Sequence, residues 1–166
     1  NQNVVIFFPG STLGNFEKKD AITFLKNLKT KYKPKKLIIG IDLIKKKSIL
    51  LKAYNDKKGV TAKFNINLLK RINRELKGNF KTKSFKHISI YNKEKNRIEM
   101  HLISLKKQRV KIYNKSFNFK KGETIHTESS HKYSPKSFKD LANKSGWKVK
   151  KVWTDLDRQF SIQYLI

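Results

Sequence analysis

The chain has 166 residues, 40 Lys+Arg against 12 Asp+Glu, a net charge of +28 and no cysteine. That length can bury one sizeable core, and the missing thiols exclude disulfides and thiolate metal sites. The apolar runs are strand-sized, far below the roughly 18 residues a membrane helix needs, and no signal peptide is visible, so the expectation is a cytoplasmic protein with no membrane partner.

The charge favours polyanions. Yet only five of the basic residues are arginines, and the lysines are spread along the chain. Arginine's planar fork is the better reader of bases and phosphates, and no Lys/Arg–aromatic stacking motif interleaves here. A lysine-rich nucleic-acid-binding module is therefore the lesser reading, and no specific nucleic-acid partner is expected.

In chain order, Val4–Phe8 is a continuous apolar run, predicted to be a strand buried on both faces. It ends at Pro9-Gly10-Ser11-Thr12. Phe16, Ile22, Phe24, Leu25 and Leu28 then fall at helical spacing. Leu37–Leu43 predicts a second buried strand, which makes a βαβ unit. Ser48–Tyr54 and Ala62–Leu76 predict helices. Phe85–Tyr91 and Arg97–Leu105 alternate as antiparallel strands about a turn at Asn92–Asn96. Arg109–Tyr113 is another short strand, and Phe117 and Phe119 alternate after it. Ser137–Ser145 reads as a helix closed by Gly146, followed by strands at Trp147–Trp153 and Phe160–Ile166. The fold class is α/β, with sheet segments at 1–44 and 136–166 and an α+β insertion at 45–135.

Asn15 follows a loop at the carboxyl end of a strand, where open α/β sheets place ligands; on spacing alone it also suits a helix N-cap. His87, His101, His126 and His131 show no zincin-like spacing, and no metal site is expected. Alternation places His126 on the same strand face as Glu128.

Several blocks occur together: Phe7-Phe8-Pro9-Gly10-Ser11-Thr12-Leu13-Gly14-Asn15-Phe16, Gly40-Ile41-Asp42-Leu43, Ala53-Tyr54-Asn55-Asp56, Gly59-Val60-Thr61-Ala62, Asn73-Arg74-Glu75-Leu76, Arg97-Ile98-Glu99-Met100, Gly122-Glu123-Thr124-Ile125-His126-Thr127-Glu128 and Trp153-Thr154-Asp155. In order and spacing they resemble the histidine-specific methyltransferases, end to end. The resemblance implies a class I, Rossmann-like methyltransferase sheet interrupted by a substrate-binding insertion. Val4–Phe8 and Leu37–Leu43 would be its fourth and fifth strands, and the last two strands an edge hairpin.

It further implies S-adenosyl-L-methionine (SAM) as cofactor and methylation of the α-amine of histidine to the trimethylated betaine hercynine, on the route to ergothioneine. A relative acting on another amino acid or an aromatic amine is the alternative. Asn15 would bind the α-amino-acid group, Tyr54 the carboxylate, and Glu128 with Ser130 the imidazole, with Met100 shaping the apolar side. No residue is assigned a bond-making role. Gly10 and Ser11 would lie near the cofactor, but most cofactor contacts are expected upstream of Asn1. On this reading the chain is a carboxyl-terminal fragment, inactive alone, whose missing partner is the amino-terminal half of the same protein.

Overall fold

The computed structural model describes residues 4–166, which fall into two compact units. Among the described residues the first comprises 4–46, 93–97 and 129–166; the second comprises 47–92 and 98–128. The change of unit after Lys46 lies two residues beyond the expected start of the insertion. The return at Ser129 comes earlier than the expected 136, and the last three residues of a strand, Ser129–His131, already belong to the first unit. No helix among the described residues is long and apolar enough to cross a membrane.

In the first unit, β1 (Val5–Phe8) and β2 (Lys36–Asp42) are parallel neighbours joined through α1 (Lys18–Tyr32), as a βαβ unit requires. The closing strands β8 (Val149–Thr154) and β9 (Phe160–Leu165) form an antiparallel hairpin. β9 also pairs antiparallel with β2, giving the order β1-β2-β9-β8. The central strand β2 carries Leu37, Ile39 and Ile41, all fully buried. β1 is not buried on both faces as predicted: it lies at the end of this sheet order, and Val5 and Phe7 are exposed.

Helices α1 and α4 (Pro135–Lys144) add Ala21, Leu25, Phe138, Leu141 and Ala142 to this core. Ser134 caps α4 through a reciprocal capping box with Ser137, Pro135 opens it, and Gly146 follows it at φ 80°. Phe138, Leu141 and Ala142, spaced three and four apart, turn inward. Trp147 follows the helix rather than opening a strand, and its ring is fully buried.

In the second unit, α2 (Lys47–Tyr54) and α3 (Val60–Glu75) pack on β3 (Phe85–Asn92), which belongs to a three-stranded sheet ordered β3-β4-β7. β4 spans Arg97–Ser104 and β7 Thr124–His131. The hairpin β5 (Gln108–Ile112) and β6 (Lys115–Phe119) turns at Tyr113-Asn114, with Tyr113 at φ 48°. Leu69, Phe80, Phe85, Leu102 and Val110 form one core cluster; Leu50, Ile98 and Met100 form another. Asp56 ties the start of α3 by accepting from the amides of Val60 and Thr61, 2.8 Å each, and these bonds hold its carboxyl down at about 2.

Candidate functional site

In the first unit the loop after β1 is pinned from several sides. Gly40 sits against Pro9: a Cβ there would fall 1.8 Å from the Pro9 carbonyl oxygen, so only glycine lets the strand end and the loop approach this closely. Ser11, in left-handed geometry at φ 55°, accepts from the Asp42 amide at 2.9 Å. Leu13 plugs the core at zero exposure. Gly14 abuts the backbone of β7, where a Cβ would meet the His131 carbonyl oxygen at 2.8 Å. Asn15, next along, is exposed at the end of a short 3-10 turn, Thr12–Asn15. It does not cap α1: the N-cap position is Glu17.

Ser130 lies on β7, one residue before the backbone that Gly14 touches. It is buried, and its hydroxyl oxygen accepts from the Lys132 ammonium at 2.8 Å. Lys132, with only 1 % of its side chain exposed, also pairs with Asp42 at 2.7 Å. A buried ammonium demands such partners. Asp42, the last residue of β2, thereby anchors both the loop through its amide and Ser130 through Lys132. Sequence reading gave Asp42 a place in a resembling block but no role, and Lys132 is one lysine among 35.

Beside this chain, Glu17 accepts from the buried Arg97 guanidinium and lies 3.7 Å from His131 Nε2. Burial pushes Glu17 up, but the Arg97 hydrogen bond and charge outweigh it and the net shift is downward. Burial pushes His131 below the usual imidazole value, against the pull of Glu17. A cleft of about 360 Å³ is lined in part by His131, Lys132 and Tyr133, but not by Asn15 or Ser130. Tyr133 is buried, which pushes its phenol up to about 12.

In the second unit Tyr54 closes α2 and packs with Met100 on the Leu50–Ile98 cluster. Its carbonyl is held by a polar network. The Asn65 amide donates to His87 Nδ1 at 2.9 Å, which leaves the proton on Nε2. Nε2 then donates to the Tyr54 carbonyl at 2.9 Å, where Ser89 Oγ also lies at 3.0 Å. Each of these polar groups is buried, so each needs its partner. Sequence reading missed this network, although the alternation Phe85, His87, Ser89 marks the buried face of β3.

Glu128 lies on β7. Ser104 N donates to Glu123 O, and the stacked rings of His101 and His126 keep the same antiparallel register. Lys132 N, however, donates to Asn96 O. From 96 to 104 is eight residues on β4; from 123 to 132 is nine on β7. The hydrogen bonds at the two ends of this pairing therefore differ by one residue in register. Thr127 and Glu128 line one cavity of about 160 Å³ with Phe64, Asn65, Asn67, Leu68 and Arg71. Thr127 also donates to the Met100 carbonyl at 2.9 Å. His126 stacks on His101, and Glu128 lines the cavity beside α3.

The second unit thus brings Tyr54 and Met100 into one cluster, with Glu128 one residue from a side chain bonded to Met100. The first unit brings the Asn15 loop against the strand of Ser130.

The histidine-specific, SAM-dependent methyltransferase model matches residues 1–166. The chain belongs to that family. Histidine N-alpha-methyltransferase of Mycolicibacterium smegmatis is 33% identical over 165 residues, covering 98% of this chain and 51% of its own length. The enzyme of the same name from Mycobacterium tuberculosis is 36% identical over 158 residues, covering 93% and 49%. This member of the family therefore spans about half the length of the curated relatives it matches. A SAM-dependent methyltransferase structure from Clostridium acetobutylicum overlays 99% of this chain with 60% of its own, at TM-score 0.47 and 9% identity. The cofactor of the family is S-adenosylmethionine.

Proposed function

We propose that the protein carrying this chain methylates the α-amine of histidine, and that Asn15, Tyr54, Met100, Glu128 and Ser130 bind the amino acid together. The observation that carries the reading is the match of residues 1–166 to the histidine-specific, SAM-dependent methyltransferase model. Glu128 is an acceptor that suits a ring N–H. Ser130, held by the Lys132 ammonium, presents a hydroxyl to the other ring nitrogen. Buried groups of this kind reject a wrong ring strongly, because it leaves them unpaired.

The remaining residues orient the substrate. Tyr54 donates its phenol to the substrate carboxylate, from a helix end locked by His87 and Ser89. Asn15 bonds the α-amino-acid group from a loop that Gly40, Ser11 and Gly14 hold in place. Met100 closes the apolar side. The cofactor, when bound, supplies an electrophilic methyl group on a sulfonium. The fit of this chain to that group is at Gly10, whose added Cβ would meet only Thr12 Oγ1, at 3.5 Å, so its backbone stands open to close approach. Transfer is an in-line displacement in which positioning supplies much of the rate, and the five residues provide positioning. Trimethylated histidine is the product.

The test is calorimetric titration of a protein of the relatives' length that carries this chain, with histidine and with other amino acids. Saturable binding of histidine, with phenylalanine and alanine at least ~100-fold weaker, is expected from unpaired polar groups in a buried site. Equal affinity for all three would remove the specificity assigned to Glu128 and Ser130.

A further inference from the structure

Strand β4 presents Glu99 and His101 two residues apart, hence on one face. His126 on β7 stands opposite His101, with the rings stacked at 4.7 Å. His101 Nε2 lies 3.6 Å from Glu99 Oε2. One nitrogen from each imidazole and one carboxylate oxygen all fall within 4.8 Å of one another. We propose that Glu99, His101 and His126 bind a divalent transition metal ion of the zinc class.

The donor chemistry selects the ion. Two imidazoles and one carboxylate suit Zn²⁺, with its remaining position left to water, whereas Ca²⁺ and Mg²⁺ want oxygen shells. Bonds of about 2.0–2.1 Å set neighbouring donors of a tetrahedral site about 3.3 Å apart. The Glu99–His101 separation is already close to that value. His126, the exposed member, stands on β7 at the end of the sheet order, and all three donor atoms already lie within 4.8 Å of one another.

Outer partners orient the set as metal sites require. Asn92 Nδ2 donates to Glu99 Oε1 at 3.1 Å, on the carboxylate oxygen other than the one that faces His101. Nε2 of His126 sits 3.1 Å from the Glu128 carbonyl. The carbonyl of His101 accepts from Asn65 at 3.2 Å, which fixes that stretch of β4.

The net charge of +28 opposes any cation at long range. At physiological salt that field is screened within roughly 8 Å, so the local donors decide. The site faces away from the Met100 side of the sheet and is independent of the methyltransferase reading. Sequence spacing did not reveal it because the donors lie 25 residues apart and meet only through strand pairing.

The experiment titrates the chelator-treated 166-residue chain with Co²⁺, followed by Zn²⁺ displacement, at neutral pH. One equivalent of Co²⁺ with visible ligand-field bands is expected, and Zn²⁺ abolishes them. His126→Gln, an exposed change that leaves the circular dichroism spectrum intact, and Glu99→Gln each weaken Zn²⁺ by at least ~10-fold, while acidification through the imidazole range releases the ion. Absence of a saturable equivalent, or Zn²⁺ affinity unchanged in His126→Gln, overturns the proposal.

Discussion

His131 shows how one buried group couples the fold to pH. Its ring is 3 % exposed, and burial lowers its pKa from the ordinary value of 6.5 despite Glu17 nearby. The unfolded chain then binds this proton more readily than the folded one, so protonation favours unfolding. Stability is expected to be full above pH 6.5 and to decline as the pH falls from there toward the lower folded-state value. Urea midpoints measured between pH 8 and pH 5 test this, and His131→Gln should flatten the profile. A steeper fall in the variant would assign the effect to another group. At this scale the sequence was a poor guide. Asn15 has the chemistry of an N-cap, yet Glu17 occupies that position, because a 3-10 turn intervenes before α1. Lys132 reads as one more surface lysine, and only the fold shows it buried between Asp42 and Ser130.

Elements were more legible, because their signals are periodic and local. The α4 segment carries its own start and stop, Ser134-Pro135 and Gly146, and its inward face at 138, 141 and 142. Just beyond it, Trp147 joins two helices to the sheet. Its indole donates to the Leu25 carbonyl at 2.9 Å, its ring is 1 % exposed, and Lys29 lies 4.9 Å above it. Trp147→Ala is expected to lose about 3–5 kcal/mol through the cavity left by the buried ring. Denaturant unfolding at unchanged slope checks it, and a loss under ~1 kcal/mol would mean the site collapses around the smaller residue. β7 was the element least visible as a strand. Its sequence Thr-Ile-His-Thr-Glu-Ser-Ser-His has one aliphatic residue, so composition does not mark it. That polar strand nonetheless carries Glu128, Ser130 and His126.

For the molecule as a whole, the αβ sheet with an interrupting α+β body could be read from where helical and alternating patterns fall. The boundaries could not, because β4 and β7 each pass from one unit to the other, and nothing in a strand's sequence marks where its neighbours change. The five residues proposed to bind the substrate are likewise divided: Asn15 and Ser130 belong to one unit, Tyr54, Met100 and Glu128 to the other. Their common purpose rests on recognition of a ring that needs an acceptor and a hydroxyl together. The most direct test is histidine titration of Glu128→Ala in a protein of the relatives' length. Histidine affinity is expected to fall at least ~100-fold, since a buried bond to a charged acceptor is lost and the ring N–H is left unpaired, while binding of alanine does not change. Full histidine affinity in that variant would contradict the assignment and move the substrate to another amino acid or amine.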